Sequence, residues 1–467
     1  MKAVRHVGPK GCDDKVYTDA LTAIDVGVID TLPNGNVTLR FKRDGQPLLV
    51  RMSQTARDLV DVAVMVYITD EMEARRKAPD HWTRFQKFLI PVADCSSWQA
   101  VTPLLSTCLK RVSGDNFQFN WLERKAIRIK KHRAQLPRDM DAVCLFSGGI
   151  DSLMGAYQLL KGGKKVILVG HQADNVTASA QSELARQLSA MFPRQLTLVQ
   201  CRVARSRAEE TSYPLAKKVE ETHRCRSFLF LSLAAAVAAT AKVSELYIPE
   251  NGLIALNSPL QKSRLGSLST RTAHPQFLTE FADVVASLGI FDGALRNPFL
   301  YQSKTDMLRG LPVELIPLIK RSVSCSRASR YKNLKVLHCG YCMPCIYRRA
   351  AMIECGLDDP NQYAFDSFTH LRDMKPYQRA DFRDLIQFAD RAIVASPMDL
   401  EMTVLSHGCF SPEVGARIGP YATPDYSPWA NMIRSWANDF RLKMQTACSS
   451  ETRKIVGLTT NNMVPST

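Results

Sequence analysis

Between residues 141 and 319, short unbroken apolar runs alternate with stretches of helical spacing. Ala142-Val143-Cys144-Leu145-Phe146, Lys165-Val166-Ile167-Leu168-Val169, Leu196-Thr197-Leu198-Val199 and Glu245-Leu246-Tyr247-Ile248-Pro249 have the length and composition of buried strands. Between them, Ser152 to Leu160 and Ala180 to Met191 carry apolar residues at helical intervals. Phe228 to Ala241 is apolar apart from Ser232 and Thr240, too short to span a bilayer, and predicts a buried helix. Strands alternating with helices predict an α/β, doubly wound parallel sheet over residues 140–355.

The flanking regions read differently. Asn36 to Phe41 alternates apolar and polar residues as a half-buried strand would, and Leu59 to Tyr67 and Phe85 to Val92 are further strand candidates. Residues 1–135 therefore read as an accessory domain of mixed α/β character without a catalytic constellation. After Asp358 the pattern is mainly helical, with proline breaks near Pro397 and between Pro420 and Pro428, so 356–467 reads as a helical extension.

The richest chemistry follows the first of the central strands. Phe146-Ser147-Gly148-Gly149-Ile150-Asp151-Ser152 leads from a strand into a helix. Glycines there let the backbone approach a ligand, and the helix N-terminus favours an anion such as phosphate. Asp151 is placed to cap the helix or approach a phosphate-bound Mg²⁺, and Ser152 adds a hydroxyl. The bland alternative is a tight turn. The motif is not a Walker A loop, because no Lys follows the glycines before Lys161.

The second signal is Cys339-Gly340-Tyr341-Cys342-Met343-Pro344-Cys345, with Cys325 fourteen positions ahead. Four thiols at this spacing suit tetrahedral Zn²⁺, and an iron–sulfur cluster is the alternative. Arg348 and Arg349 are expected to help keep the thiolates ionised.

Composition sets the context. The chain has 467 residues, is 45% hydrophobic and carries a formal charge of +16. Such a surface suits ATP or nucleic acid. The densest basic run, Glu123 to Arg133, reads as a solvated linker or as a contact for RNA or an acidic partner. No apolar signal region follows Met1, so a reducing cytoplasm is the expected location, with no membrane association. Thirteen cysteines in that setting suggest metal ligation or buried thiols rather than disulfides.

The pattern S-G-G-x-D-S resembles the PP-loop of the ATP pyrophosphatases. Followed by the cysteine quartet, it resembles QueC, the 7-cyano-7-deazaguanine synthase family. Arg226-Ser227-Phe228-Leu229-Phe230-Leu231-Ser232, the Gln181–Ala185 segment and Lys304-Thr305-Asp306-Met307 extend that resemblance over Asp141 to Ile353. Ser227 stands where the family usually has Asn, and Glu250-Asn251-Gly252 and Arg271-Thr272-Ala273-His274-Pro275 depart from its usual text. Long chains of this layout look like QatC, a component of Qat anti-phage defence systems.

The resemblance implies ATP-dependent adenylation of 7-carboxy-7-deazaguanine. Phe146, Ser147, Gly148, Gly149, Asp151 and Ser152 would bind ATP and its pyrophosphate. Arg226 and Lys304 would neutralise phosphate charge, and His274 beside Arg271 would act as acid or base or touch substrate. Attack by ammonia would give an amide and then a nitrile. An amine on a partner protein of a defence operon would give a conjugate, the extra regions docking that partner. A homodimer is implied by the family alone. A PP-loop tRNA sulfurtransferase, an amidotransferase and a nucleotide-binding sensor are the other readings.

Overall fold

A computed structural model describes residues 5–7, 27–28, 37–48, 50–124, 136–205, 218, 220, 223–257, 273–406 and 425–458. Its strands are β1 (Arg5–Val7), β2 (Gly27–Val28), β3 (Val37–Arg43), β4 (Gln46–Leu48), β5 (Phe85–Val92), β6 (Asn116–Glu123), β7 (Ala142–Leu145), β8 (Val166–His171), β9 (Leu196–Arg205), β10 (Glu245–Tyr247) and β11 (Ala294–Arg296). Its helices are α1 (Gln54–Met72), α2 (Cys95–Ser113), α3 (Ile150–Lys161), α4 (Asn175–Met191), α5 (Arg226–Ala241), α6 (Gly252–Leu256), α7 (Pro275–Ser287), α8 (Lys304–Leu308), α9 (Ile316–Arg321), α10 (Met343–Glu354), α11 (Pro376–Val394), α12 (Pro397–Ser406), α13 (Ser427–Ala447) and α14 (Ser450–Val456).

Seven strands form the main sheet in the order β11-β10-β7-β8-β9-β3-β4. The five from β11 to β9 run parallel. Alternate side chains along them enter two separate cores. Val143, Ile167, Val169 and Leu246 face one, with α5, while Cys144, Val166, Leu168 and Leu198 face the other, with α3 and α4. That two-sided burial is why these strands read as unbroken apolar runs. From β7 the chain winds outward through β8 and β9, then returns to β10 on the other side of β7. The crevice beyond β7 and β10 is thus a topological switch point, where open α/β sheets bind ligands.

The N-terminal region adds to this sheet as well as building its own. The β3–β4 hairpin pairs antiparallel with β9 and closes the edge. A second, all-parallel sheet has the order β2-β1-β5-β6. Helices α1 and α2 lie against it and pack on α5 and α7, so a double helical layer joins the two sheets.

Leu59 to Tyr67, expected as a strand, lies inside α1 instead. Its valines are buried on all sides between the second sheet and α5. A helix buried all round has no polar stripe to reveal its period. Ser53 starts it by accepting a hydrogen bond from the Ala56 N–H at 3.2 Å. Arg124, expected in a solvated linker, is buried against Asp58 and Asp61, and residues 125–133 of that run lie outside the described residues. The C-terminal region is helical, with α11 packed along α13. Among the described residues no helix is long and apolar enough to cross a membrane.

A buried ionic network ties the N-terminal region to α5. Asp115 accepts from Arg75 at 2.7 and 2.8 Å and from Arg84 at 2.6 Å. Arg84 also pairs with Asp70, which accepts from the Cys225 N–H at 3.0 Å, one residue before α5. Asp115→Ala would leave two buried guanidinium groups to share the single carboxylate of Asp70, at a cost of about 3–5 kcal/mol. Urea unfolding of the full chain reads this, and a loss below about 0.5 kcal/mol would mean that the network is dispensable.

Candidate active site

β7 delivers Phe146 and the Ser147–Ser152 turn to the switch point. Phe146 is buried, and its N–H bonds to the Val169 carbonyl at 2.8 Å. Gly148 adopts φ +85°, where a side chain is strained, and an added Cβ would lie 3.3 Å from the Gln181 nitrogen. Gly149 caps α3. The Ser147 hydroxyl lies 3.1 Å from that of Ser152 and accepts from the Gly149 N–H at 3.3 Å. Gln181 braces the turn by donating to the Ser147 and His171 carbonyls at 3.4 and 3.2 Å. The turn's remaining N–H groups sit at the positive end of α3, an arrangement that favours phosphate.

Asp151 neither caps α3 nor offers a free oxygen to a cation. One oxygen pairs with Lys304; the other accepts from the Asn251 backbone at 3.0 Å and from its amide at 2.6 Å. Burial alone would raise its pKa, but Lys304 and Asn251 outweigh it and hold the carboxyl below its ordinary value. Lys304 reaches this point because Ser303 and Asp306 form a reciprocal cap that starts α8 there.

Glu250 and Asn251, one loop after β10, complete the cluster. Burial pushes the Glu250 carboxyl well above the ordinary range, the Asp151 charge adds to this, and Lys304 and Arg226 oppose it. The two neighbouring carboxyls are thus pushed in opposite directions, Glu250 up and Asp151 down. Sequence reasoning gave neither residue a role; their place after the strand neighbouring β7 was the available signal. Arg226 opens α5, near enough for its charge to act on Glu250 and His171. His274 stands fully buried at the start of α7. Arg271 lies outside the described residues.

The four predicted cysteines converge. Their sulfurs lie within 4.8 Å of one another, with pairs at 3.4, 3.8 and 4.0 Å. A tetrahedral ion with bonds of about 2.3 Å requires sulfurs about 3.8 Å apart. A cluster of several irons would hold them further apart. N–H groups of Arg327 and Cys339 each lie 3.3 Å from the Cys325 sulfur. Gly340 has φ +85° and backs onto the Phe365 carbonyl, where a Cβ would not fit. The donor set fits Zn²⁺. Arg348 donates to Ser322 and the Ile319 carbonyl, and its charge also acts on Cys345, while Arg349 pairs with Asp358 and Asp366.

This centre supports the turn from behind. Val323, two residues before Cys325, donates to the Gly148 carbonyl at 2.8 Å. The Val323 carbonyl and Ser324 hydroxyl fill the space beside Gly149.

Residues 138–250 match a family model described as ThiI, thiamine biosynthesis protein. The 7-cyano-7-deazaguanine synthase of Methanothrix thermoacetophila is 28% identical over 48% of this chain and 98% of its own length. Those of Methanoculleus marisnigri and Methanosphaerula palustris are 27% and 28% identical, over 48% of this chain and 98% and 99% of theirs. The chain is similar to the 7-cyano-7-deazaguanine synthases. Nearly the whole of each such synthase is matched by about half of this chain; the other half lies outside the match. No solved structure matches.

Two tests follow from this geometry. Chelation, or Cys339→Ser, is expected to release one zinc per chain and to lower the melting temperature, read by metal analysis and calorimetry. An iron–sulfur absorbance would contradict the zinc assignment. His171, beside the turn, is held neutral by burial and by Arg226, its pKa pushed down to about 3. A histidine charged only on unfolding contributes its full stability above about pH 6.5 and loses it as pH falls toward 3. His171→Leu should therefore flatten the acid limb of stability against pH by about one proton; an unchanged slope would contradict it.

Proposed function

We propose that this protein uses ATP to adenylate a 7-deazaguanine carboxylate, 7-carboxy-7-deazaguanine or a close analogue, releasing pyrophosphate before an amine takes the acyl group. One observation carries the reading: the positive-φ glycine turn, with its aspartate locked by Lys304 and Asn251, stands at the switch point of a chain similar to deazaguanine synthases.

ATP would arrive as its Mg²⁺ complex, its β- and γ-phosphates on the N–H groups of Ser147 to Ser152. A carboxylate oxygen of the acid attacks the α-phosphorus and pyrophosphate leaves. Arg226 and Lys304 supply positive charge where the phosphates gain negative charge. The amine nitrogen then attacks the acyl carbon, the C–O bond to AMP breaks, AMP leaves and the nitrogen sheds a proton. With ammonia the product is an amide, and a second activation removes its oxygen to give a nitrile. With an amine of a partner protein the product is a conjugate, and the two appended regions would dock that partner. A QatC-like place in anti-phage defence and a homodimer belong to the same proposal.

The ThiI match favours one second reading, sulfur transfer onto tRNA by a PP-loop enzyme. Against it, Cys144, Cys201 and Cys225 are fully buried, and burial pushes their thiols up, unlike a reactive thiolate.

Pyrophosphate release with ATP and 7-carboxy-7-deazaguanine, with and without ammonium, tests the proposal. Release should depend on the acid, and Gly148→Ala should slow it about 100-fold by displacing the turn. Pyrophosphate formed equally without the acid, or sulfur incorporated into tRNA, would overturn it.

A further inference from the structure

We propose that helix α1 of the N-terminal region helps to build the acid's binding site, with Tyr67 and His171 forming the subsite that holds the planar heterocycle while Arg226 meets its carboxylate. The inference rests on the adenylation reading and adds to it a recognition element from outside residues 138–250, the stretch shared with the PP-loop family model.

His171 ends β8, the strand beside β7, and so stands at the carboxyl edge next to the phosphate turn. It is only 8% exposed, and among the described residues neither ring nitrogen has a hydrogen-bond partner. Two such nitrogens in a protein interior call for a ligand or a water. Aromatic rings surround the imidazole. Tyr67 of α1 meets it edge-on at 5.8 Å, and Phe230 of α5 lies 5.1 Å away. His223 stacks on Tyr67 at 6.3 Å. The charge of Arg226 acts on Tyr67, His171 and Glu250 alike. Its guanidinium sits 5.5 Å over the Phe230 ring.

The chemistry selects the ligand. A neutral imidazole offers one donor and one acceptor, which match the lactam and amino edge of a guanine-like ring. Aromatic faces suit a flat heterocycle. The cation suits a carboxylate, which adenine lacks. Glu71, one turn beyond Tyr67, is held down to about 2: burial opposes this, and His223 and Lys218 outweigh it. It accepts a hydrogen bond from the Tyr67 hydroxyl, which holds that ring in place.

The test uses the full chain with the apolar replacements His171→Leu and Tyr67→Leu, and with Tyr67→Phe and His171→Asn as gentler variants should either fail to fold. KM for the acid should rise about tenfold or more, the equivalent of one lost hydrogen bond, while KM for ATP stays within about twofold. A rise in KM for ATP alone would make this the adenine subsite. No change in either constant would leave the cluster purely structural. Both results overturn the inference. If the wild type shows no acid-dependent pyrophosphate release, the adenylation reading fails separately. Calorimetric titration of the acid without ATP then decides the subsite: weaker binding by His171→Leu supports it, and equal binding refutes it.

Discussion

A carboxylate buried at the first turn of a helix has to be neutralised, and the neutralisation of Asp151 organises this site. The cluster joins three separate segments: Asp151 itself from the turn after β7, Asn251 from the loop after β10 and Lys304, the first residue of α8. Removing an ion from water costs several kcal/mol unless its bonds are replaced. The three segments are therefore held to one arrangement. That arrangement sets the Gly148–Gly149 backbone at the end of the sheet and places Glu250 beside the Asp151 charge, which with burial pushes its carboxyl up.

The appended regions extend this constraint outward. Asp70 holds the Cys225 N–H just ahead of Arg226, so a network centred on the N-terminal helices orients the first turn of α5. At the other end, Asp381 of α11 accepts from the Met343 N–H at 2.9 Å and caps α10, the helix that carries Cys345. Met432 of α13 packs so close to Gly252 that no Cβ would fit there, directly beside Asn251. The cysteine centre then reaches the turn through Val323. Both extensions thus back the switch point, which gives them a role in shaping the site as well as any role in meeting partners.

Local chemistry made much of this legible. The strands at 142, 166, 196 and 245 were readable because both faces are buried, and the glycine turn because φ +85° and helix-end N–H groups demand particular residues. The cysteines were readable because three thiols on a short, glycine-hinged loop, with a fourth fourteen positions ahead, suit a tetrahedral ion. Leu59 to Tyr67 was misread because total burial erases helical period. Glu250 and Asn251 were passed over because a single Glu or Asn carries no pattern. Their meaning comes from the charge they face.

By itself, then, the sequence determined the doubly wound α/β sheet, the phosphate turn and the sulfur quartet, since each depends on residue types close together in the chain. Only the tertiary structure decided that Asp151 is locked by Lys304 and Asn251, that Arg348 and Arg349 are held by Ser322, Asp358 and Asp366, and that Tyr67 stands beside His171. Those outcomes depend on contacts across about 100 residues or more of chain in the cases of Asp151 and Tyr67. Burial strengthens the electrostatics of such contacts, and sequence spacing carries no record of them.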